Sequence, residues 1–168
     1  MRPTADRVRE AIFNILGGRT EEARVLDLFA GTGALGLEAL SRGAKMAVLV
    51  ESDPRAFTFM RGNIRALEAT GAKLLPMEYR AALRFLQGHG FRFDLVFLDP
   101  PYGKGIAERS AGDLAAAGLL EPGGIVVVEE AVRAKESLFP AGWERIEDRR
   151  YGDTRVMIFR AENRKSVV

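Results

Sequence analysis

A doubly wound α/β sheet, mainly parallel, with about seven strands and an antiparallel pair at its C-terminal end, is the fold this 168-residue sequence predicts. Three observations carry it: short runs that are apolar on both faces, helix-forming stretches between them, and a change of rhythm to an alternating pattern after Glu130. The first element is a helix over 2–16, where Val8, Ile12, Ile15 and Leu16 fall on one inward face and leave Asp6, Arg7 and Arg9 outside. The runs 24–30, 46–52, 72–78, 93–99 and 124–130 have no polar face, the pattern of buried parallel strands. They recur every 20 to 30 residues, which leaves room for one crossover helix each. The helix after the first run stops at Gly43, and the next opens with Asp53 as N-cap and Pro54 at its first position and is expected to end at Gly71. The stretch 142–160 alternates like two strands joined by a turn at Gly152 and Asp153. The chain reads as one domain over 1–168, with an N-terminal helical segment (1–20), a core (24–160) and a tail (161–168).

Composition narrows the chemistry. An apolar content of 47% suffices for a continuous core, and the absence of cysteine excludes disulfides and thiolate metal sites. The N-terminus is charged where a signal peptide needs an apolar stretch, and no run approaches the roughly 18 apolar residues of a membrane span. A soluble, cytoplasmic protein with no membrane partner is therefore expected, with a monomer favoured. A net charge of +2 and a pI near 9.1 permit a polyanionic partner without demanding one.

The first chemical motif is LDLFAGTGALG. Gly31, Gly33 and Gly36 satisfy G-x-G-x-x-G directly after a strand and at the start of a helix, the Rossmann-like context in which bare backbone approaches a cofactor. Glu51 lies twenty residues after Gly31 at the end of the next strand, where a carboxylate accepts hydrogen bonds from ribose hydroxyls. The motif alone does not choose between a dinucleotide and S-adenosylmethionine. Asp27 favours the latter, because a buried carboxylate attracts a cofactor ammonium and repels a pyrophosphate.

The second motif is DPPY, residues 99 to 102. In a doubly wound sheet the ligand sits where the strand order reverses, so the loop after the first strand and DPPY after the fourth should be neighbours. The prolines at 100 and 101 stiffen the segment and hold Asp99 extended. Asp99 and the Pro100 carbonyl can then accept hydrogen bonds from an amino group, Tyr102 offers a ring for stacking, and Gly103 and Gly105 flank Lys104 in a lid-like loop.

Together, RPTADRVREAIFNIL (2–16), LDLFAGTGALGLEALSRGA and FDLVFLDPPYGKG resemble the bacterial small-subunit ribosomal RNA guanine-N2 methyltransferases of the RsmD type, over nearly the whole chain. The resemblance implies a class I enzyme that moves a methyl group from S-adenosylmethionine to the N2 amine of a guanine in ribosomal RNA within an assembling small subunit. It assigns Asp27, Ala30, Gly31, Gly33, Glu51 and Ser52 to the cofactor, with Glu78 and Tyr79 near its adenine, and Asp99, Pro100, Pro101 and Tyr102 to catalysis. Arg7, Arg9 and Lys104 are the candidate RNA contacts. Such enzymes often carry an aspartate after strand three, where this chain has MEYRAAL, so Glu78 or the backbone of Tyr79 to Ala81 must serve. Family members also place a short basic hairpin ahead of the RPT block, where this sequence begins, so weak action on free RNA is expected.

Other residues have plainer readings. His89 between two glycines is a surface residue, and Trp143, Phe57 and Phe59 are packing groups. Arg149, Arg150 and the tail from Arg160 read as a solvated charge run. The competing functions are a DPPY methyltransferase acting on adenine in DNA or on a protein amide, a nucleotide-binding module without chemistry, and an NAD-dependent oxidoreductase.

Overall fold

The structure, a computed structural model, describes residues 3–101, 103, 105–133 and 137–162. Its parallel part comprises β1 (Arg24–Asp27), β2 (Met46–Val50), β3 (Ala72–Leu75), β4 (Phe93–Leu98) and β5 (Leu120–Ala131). The antiparallel pair is β6 (Trp143–Tyr151) and β7 (Thr154–Ala161). Helices α1 (Pro3–Leu16), α2 (Ala34–Ser41), α3 (Pro54–Leu67), α4 (Tyr79–Gly88) and α5 (Ile106–Ala117) complete the architecture. The strands form one sheet in the order β3-β2-β1-β4-β5-β7-β6. Leu26 of β1 stands between Val48 of β2 and Val96 of β4, and the order reverses there. The strand count, the antiparallel ending and the turn at Gly152 and Asp153 match the sequence reading.

Alternate residues of each strand feed two cores, because successive side chains point to opposite faces. Val25, Leu95 and Phe97 pack with Val8, Ile12, Phe13 and Leu16 of α1, Leu37 of α2 and Met60 of α3. Leu26, Val48 and Val96 pack with Ala82, Leu83 and Leu86 of α4 and with Ala111 and Leu114 of α5. Among the described residues no helix is long and apolar enough to cross a membrane.

Four local expectations are corrected. Strand β3 is an edge strand, only half-buried, because nothing pairs beyond it. Helix α3 opens on Asp53 as expected, with its side chain accepting from the Arg55 N–H at 2.9 Å, but it ends at Glu68 with φ of 50°, before Gly71. Gly71 is instead a close-approach position: a Cβ there would lie 2.9 Å from Leu40 Cδ2 and 3.3 Å from the Lys45 carbonyl oxygen. Strand β5 starts at Leu120, four residues early, because Leu120 pairs with Phe93 before the register jumps to Leu95 opposite Ile125. Phe59 is 68% exposed, since Phe57, Met60 and Ile64 occupy the inward positions of α3. Phe57 and Trp143 do pack, the latter with its ring centroid 5.7 Å from that of Phe159.

Candidate active site

At the carboxyl ends of β1, β2 and β4 the chain encloses a cavity of about 710 Å³, where the reversal of strand order parts the two sets of crossover loops. One wall is the loop after β1. Its Ala30 N–H donates to the Val50 carbonyl at 2.8 Å and its Gly33 N–H to the Ala30 carbonyl at 2.8 Å, which fixes the turn into α2. The three glycines do different jobs. Gly31 has φ of +57° and open space where a Cβ would stand, and it lines the cavity. Gly33, read from the sequence as a cofactor contact, does not line it: φ is +87°, and a Cβ would press to 3.0 Å from Met60 Cγ. Gly36 lets α2 sit against β2, since a Cβ would collide with the Leu49 side chain.

Glu51 ties this loop to β2. Its Oε1 accepts from the Gly31 N–H and its Oε2 from the Asp53 N–H, both at 2.8 Å, so the carboxylate is held at the rim beside Ser52 with lone pairs to spare. Asp27 forms the floor at 1% exposure. Its Oδ2 accepts from the Gly36 N–H at 3.3 Å, while Oδ1 has no hydrogen-bond partner among the described residues. Burial, followed by the charge of Asp99, pushes the Asp27 carboxyl up to about 7, against the pull of the Gly36 hydrogen bond.

The opposite wall comes from the start of α4. Glu78 caps that helix by accepting from the Arg80 and Ala81 N–H groups at 3.0 and 3.3 Å. The Tyr79 ring lies 5.2 Å from that of Phe29, and its hydroxyl donates to Asp113 Oδ2 at 2.7 Å. That bond, more than any other influence, holds the Asp113 carboxyl below its ordinary range, and Arg80 reinforces it at 3.2 Å. Asp99, buried Pro100 and exposed Pro101 close the cavity beyond β4.

The cavity thus gathers Asp27, Ala30, Gly31, Glu51, Ser52, Glu78, Tyr79, Asp99, Pro100 and Pro101. Tyr102 and Lys104 lie outside the described residues. Arg7 is exposed and Arg9 is paired with Asp6 at 3.2 Å, and neither lines the cavity. Sequence reasoning missed Met77, Ile106 and Arg109, which also line it. Their signal was position alone, beside or within the first turns of helices that follow strands three and four.

The family model described as "Conserved hypothetical protein 95" matches residues 1–160. The ribosomal RNA small subunit methyltransferase D of Escherichia coli strain K12 is 36% identical over 162 residues, which cover 96% of this chain and 80% of that protein. This chain belongs to the ribosomal RNA small subunit methyltransferase D family. The Haemophilus influenzae protein of the same name is 34% identical over 157 residues, covering 90% of this chain and 79% of the relative. Among solved structures, the putative methyltransferase yhhF from Escherichia coli superposes with a TM-score of 0.86 at 36% identity, covering 97% of this chain and 88% of that one. The putative methylase HI0767 from Haemophilus influenzae gives a TM-score of 0.79 at 30% identity, covering 95% and 99%.

Proposed function

We propose that this protein transfers the methyl group of S-adenosylmethionine to the exocyclic N2 amine of a guanine in small-subunit ribosomal RNA. The observation that carries the reading is the convergence of three carboxyl groups, Glu51, Asp27 and Asp99, from adjacent strand ends on one cavity that also holds the glycine loop. An orphaned, buried Asp27 oxygen is costly alone and is offset by a cation. S-adenosylmethionine carries two cationic groups, whereas the pyrophosphate of a dinucleotide would meet repulsion from the same acids. Glu51 would hold the ribose hydroxyls, Asp27 the ammonium, and the Phe29, Met77 and Tyr79 surface with Glu78 the adenine. Bound there, the cofactor supplies a methyl group already activated on a sulfonium.

The protein's own task is to present the amine. A guanine amino group is a weak nucleophile because its lone pair is delocalised into the ring, and a strong base is not needed against a sulfonium. Asp99 and the Pro100 carbonyl accept its two hydrogens, which draws the nitrogen toward tetrahedral geometry, and the Asp99 carboxylate receives the proton the nitrogen loses. The proline pair makes that acceptor set rigid before substrate arrives. Similarity to relatives named for small-subunit ribosomal RNA favours RNA over DNA or protein as substrate.

Nucleoside mass spectrometry after reaction with small subunits from a strain lacking the family member tests this. N2-methylguanosine is the expected product, and methyladenosine or no methylated nucleoside would overturn the reading. Partly assembled subunits should outperform free RNA. Binding to either should weaken steeply with salt, because each neutralised phosphate releases counterions; an affinity indifferent to salt would exclude a polyanion. Glu51→Ala should weaken S-adenosylhomocysteine by about 1.5–3 kcal/mol in calorimetry, the scale of a charged hydrogen-bonding group. Unaltered binding would remove Glu51 from the ribose role.

A further inference from the structure

Behind the cavity wall stands an acid that has no part in the site so far. Glu129 is near the end of β5, the strand beside β4, and the pairing of Leu98 with Val128 carries on to set Asp99 next to Glu129. The two side chains are within reach of each other. Two ionised carboxylates side by side repel, because each is an acceptor only, and a hydrogen bond joins them once one carries a proton.

The surroundings decide which. Burial raises both groups, and Glu129, the weaker acid from the outset with an ordinary value of 4.5 against 3.8 for Asp99, is driven further up by the charge of Asp99. Asp27, on the far side of Asp99, pushes Glu129 the same way. Across β7, Glu129 faces Val156, and the neighbouring Arg155 is engaged with Asp148 at 2.6 Å. Glu130, the next residue, accepts from the Ser137 hydroxyl at 3.3 Å and feels the charge of Arg155. The charges of Asp99 and Asp27 are both negative, and both favour the neutral form of Glu129.

We propose that Glu129 is a positioning residue: it keeps its carboxyl proton, donates it to one Asp99 oxygen, and so leaves the other Asp99 oxygen ionised and turned to the substrate amine. The inference rests on the reading that Asp99 receives that amine. It gives the carboxylate a fixed orientation that the prolines alone do not, since they fix backbone and not the side-chain torsion. It also links turnover to alkaline pH. When Glu129 loses its proton, two carboxylates stand side by side, and the pair either separates or shares the next proton at the expense of the acceptor.

Methylation of small subunits by the wild type, Glu129→Gln and Glu129→Ala between about pH 6 and about pH 9, with S-adenosylhomocysteine affinity measured in parallel, tests the proposal. The wild type should lose turnover on the alkaline side. Glu129→Gln, whose amide donates without titrating, should keep near-wild-type turnover at neutral pH and lose that alkaline decline. Glu129→Ala should lower kcat by about 10–100-fold, the range for removing a partner that orients a functional ligand, with cofactor affinity unchanged. An alkaline decline that survives in Glu129→Gln, or a folded Glu129→Ala with full kcat, would overturn it. Should the wild type methylate no ribosomal RNA, the proposed function fails, and carboxyl carbon NMR decides the pair separately. A Glu129 signal still protonated at about pH 6 supports the bond, and one already ionised there removes it.

Discussion

Asp99→Ala is expected to lower turnover by about 10²–10³ while leaving a folded protein that binds S-adenosylhomocysteine, the range for losing one preorganised electrostatic contact. The substitution removes the acceptor for one amine hydrogen and the group that takes the departing proton, but no residue of the glycine loop or the Glu51 rim. Because Asp99 is a leading cause, after burial, of the raised Asp27 carboxyl, its removal lets Asp27 ionise more readily. Cofactor affinity at neutral pH should therefore hold or improve as turnover collapses. Asp99→Asn keeps one oxygen and should be less damaging than alanine. Single-turnover methylation together with calorimetry checks the split; normal turnover in Asp99→Ala, or a parallel loss of cofactor binding, would contradict the assigned role.

Asp27→Asn should separate stability from binding. The Asp27 carboxyl rises from an ordinary 3.8 to about 7 in the folded chain, so the native state holds the proton more tightly than the unfolded one. Stability is then greatest below about pH 4, declines as pH rises to about 7, and is level beyond, with a cost on the order of 4 kcal/mol at alkaline pH. Asparagine keeps an oxygen for the Gly36 N–H without a charge to bury, so at about pH 8 the ligand-free variant should melt roughly 10 °C higher. The same change removes the counter-charge for the cofactor ammonium. Wild-type affinity for S-adenosylhomocysteine should climb as pH passes through about 7, while the variant binds about 1.5–3 kcal/mol more weakly with no such climb. A variant no more stable than the wild type, or one that keeps the pH-dependent climb, would show that Asp27 is not the buried acid described.

What could be read from the sequence followed from how directly each feature depends on local pattern. The five apolar runs, the Asp53 and Pro54 helix start and the Gly152 turn are local, and the structure has them all. The joining of Gly31 to Asp99 was also legible, because the reversal rule converts strand order into neighbourhood. Where tertiary context decides, the reading failed. Gly71 looks like a helix stop, yet its lack of a side chain serves the passage of Leu40 and the Lys45 backbone, and Glu68 adopts the left-handed cap. Phe59 looks like core until the rotation of α3 is set by Met60. Glu129 was invisible as a partner because only the β4 to β5 register, with its jump between Phe93 and Leu95, tells which strand-end acids meet.

The two margins of the sheet bear on how the protein behaves when crowded. One margin is β3, four residues long with exposed Lys73 in its middle. The other is β6, where Glu144, Arg145, Glu147, Asp148, Arg149 and Arg150 leave only Trp143, Ile146 and Tyr151 uncharged, and where Arg149 holds Glu147 at 3.1 Å. A free strand edge invites another chain to add on, and short length and dense charge are the usual deterrents. An incoming strand would have to strip water from alternating ions on one side, or gain only four residues of pairing on the other. The sheet is thereby guarded against fibre-like growth at both ends, so the protein can accumulate to high concentration without its own backbone becoming a template.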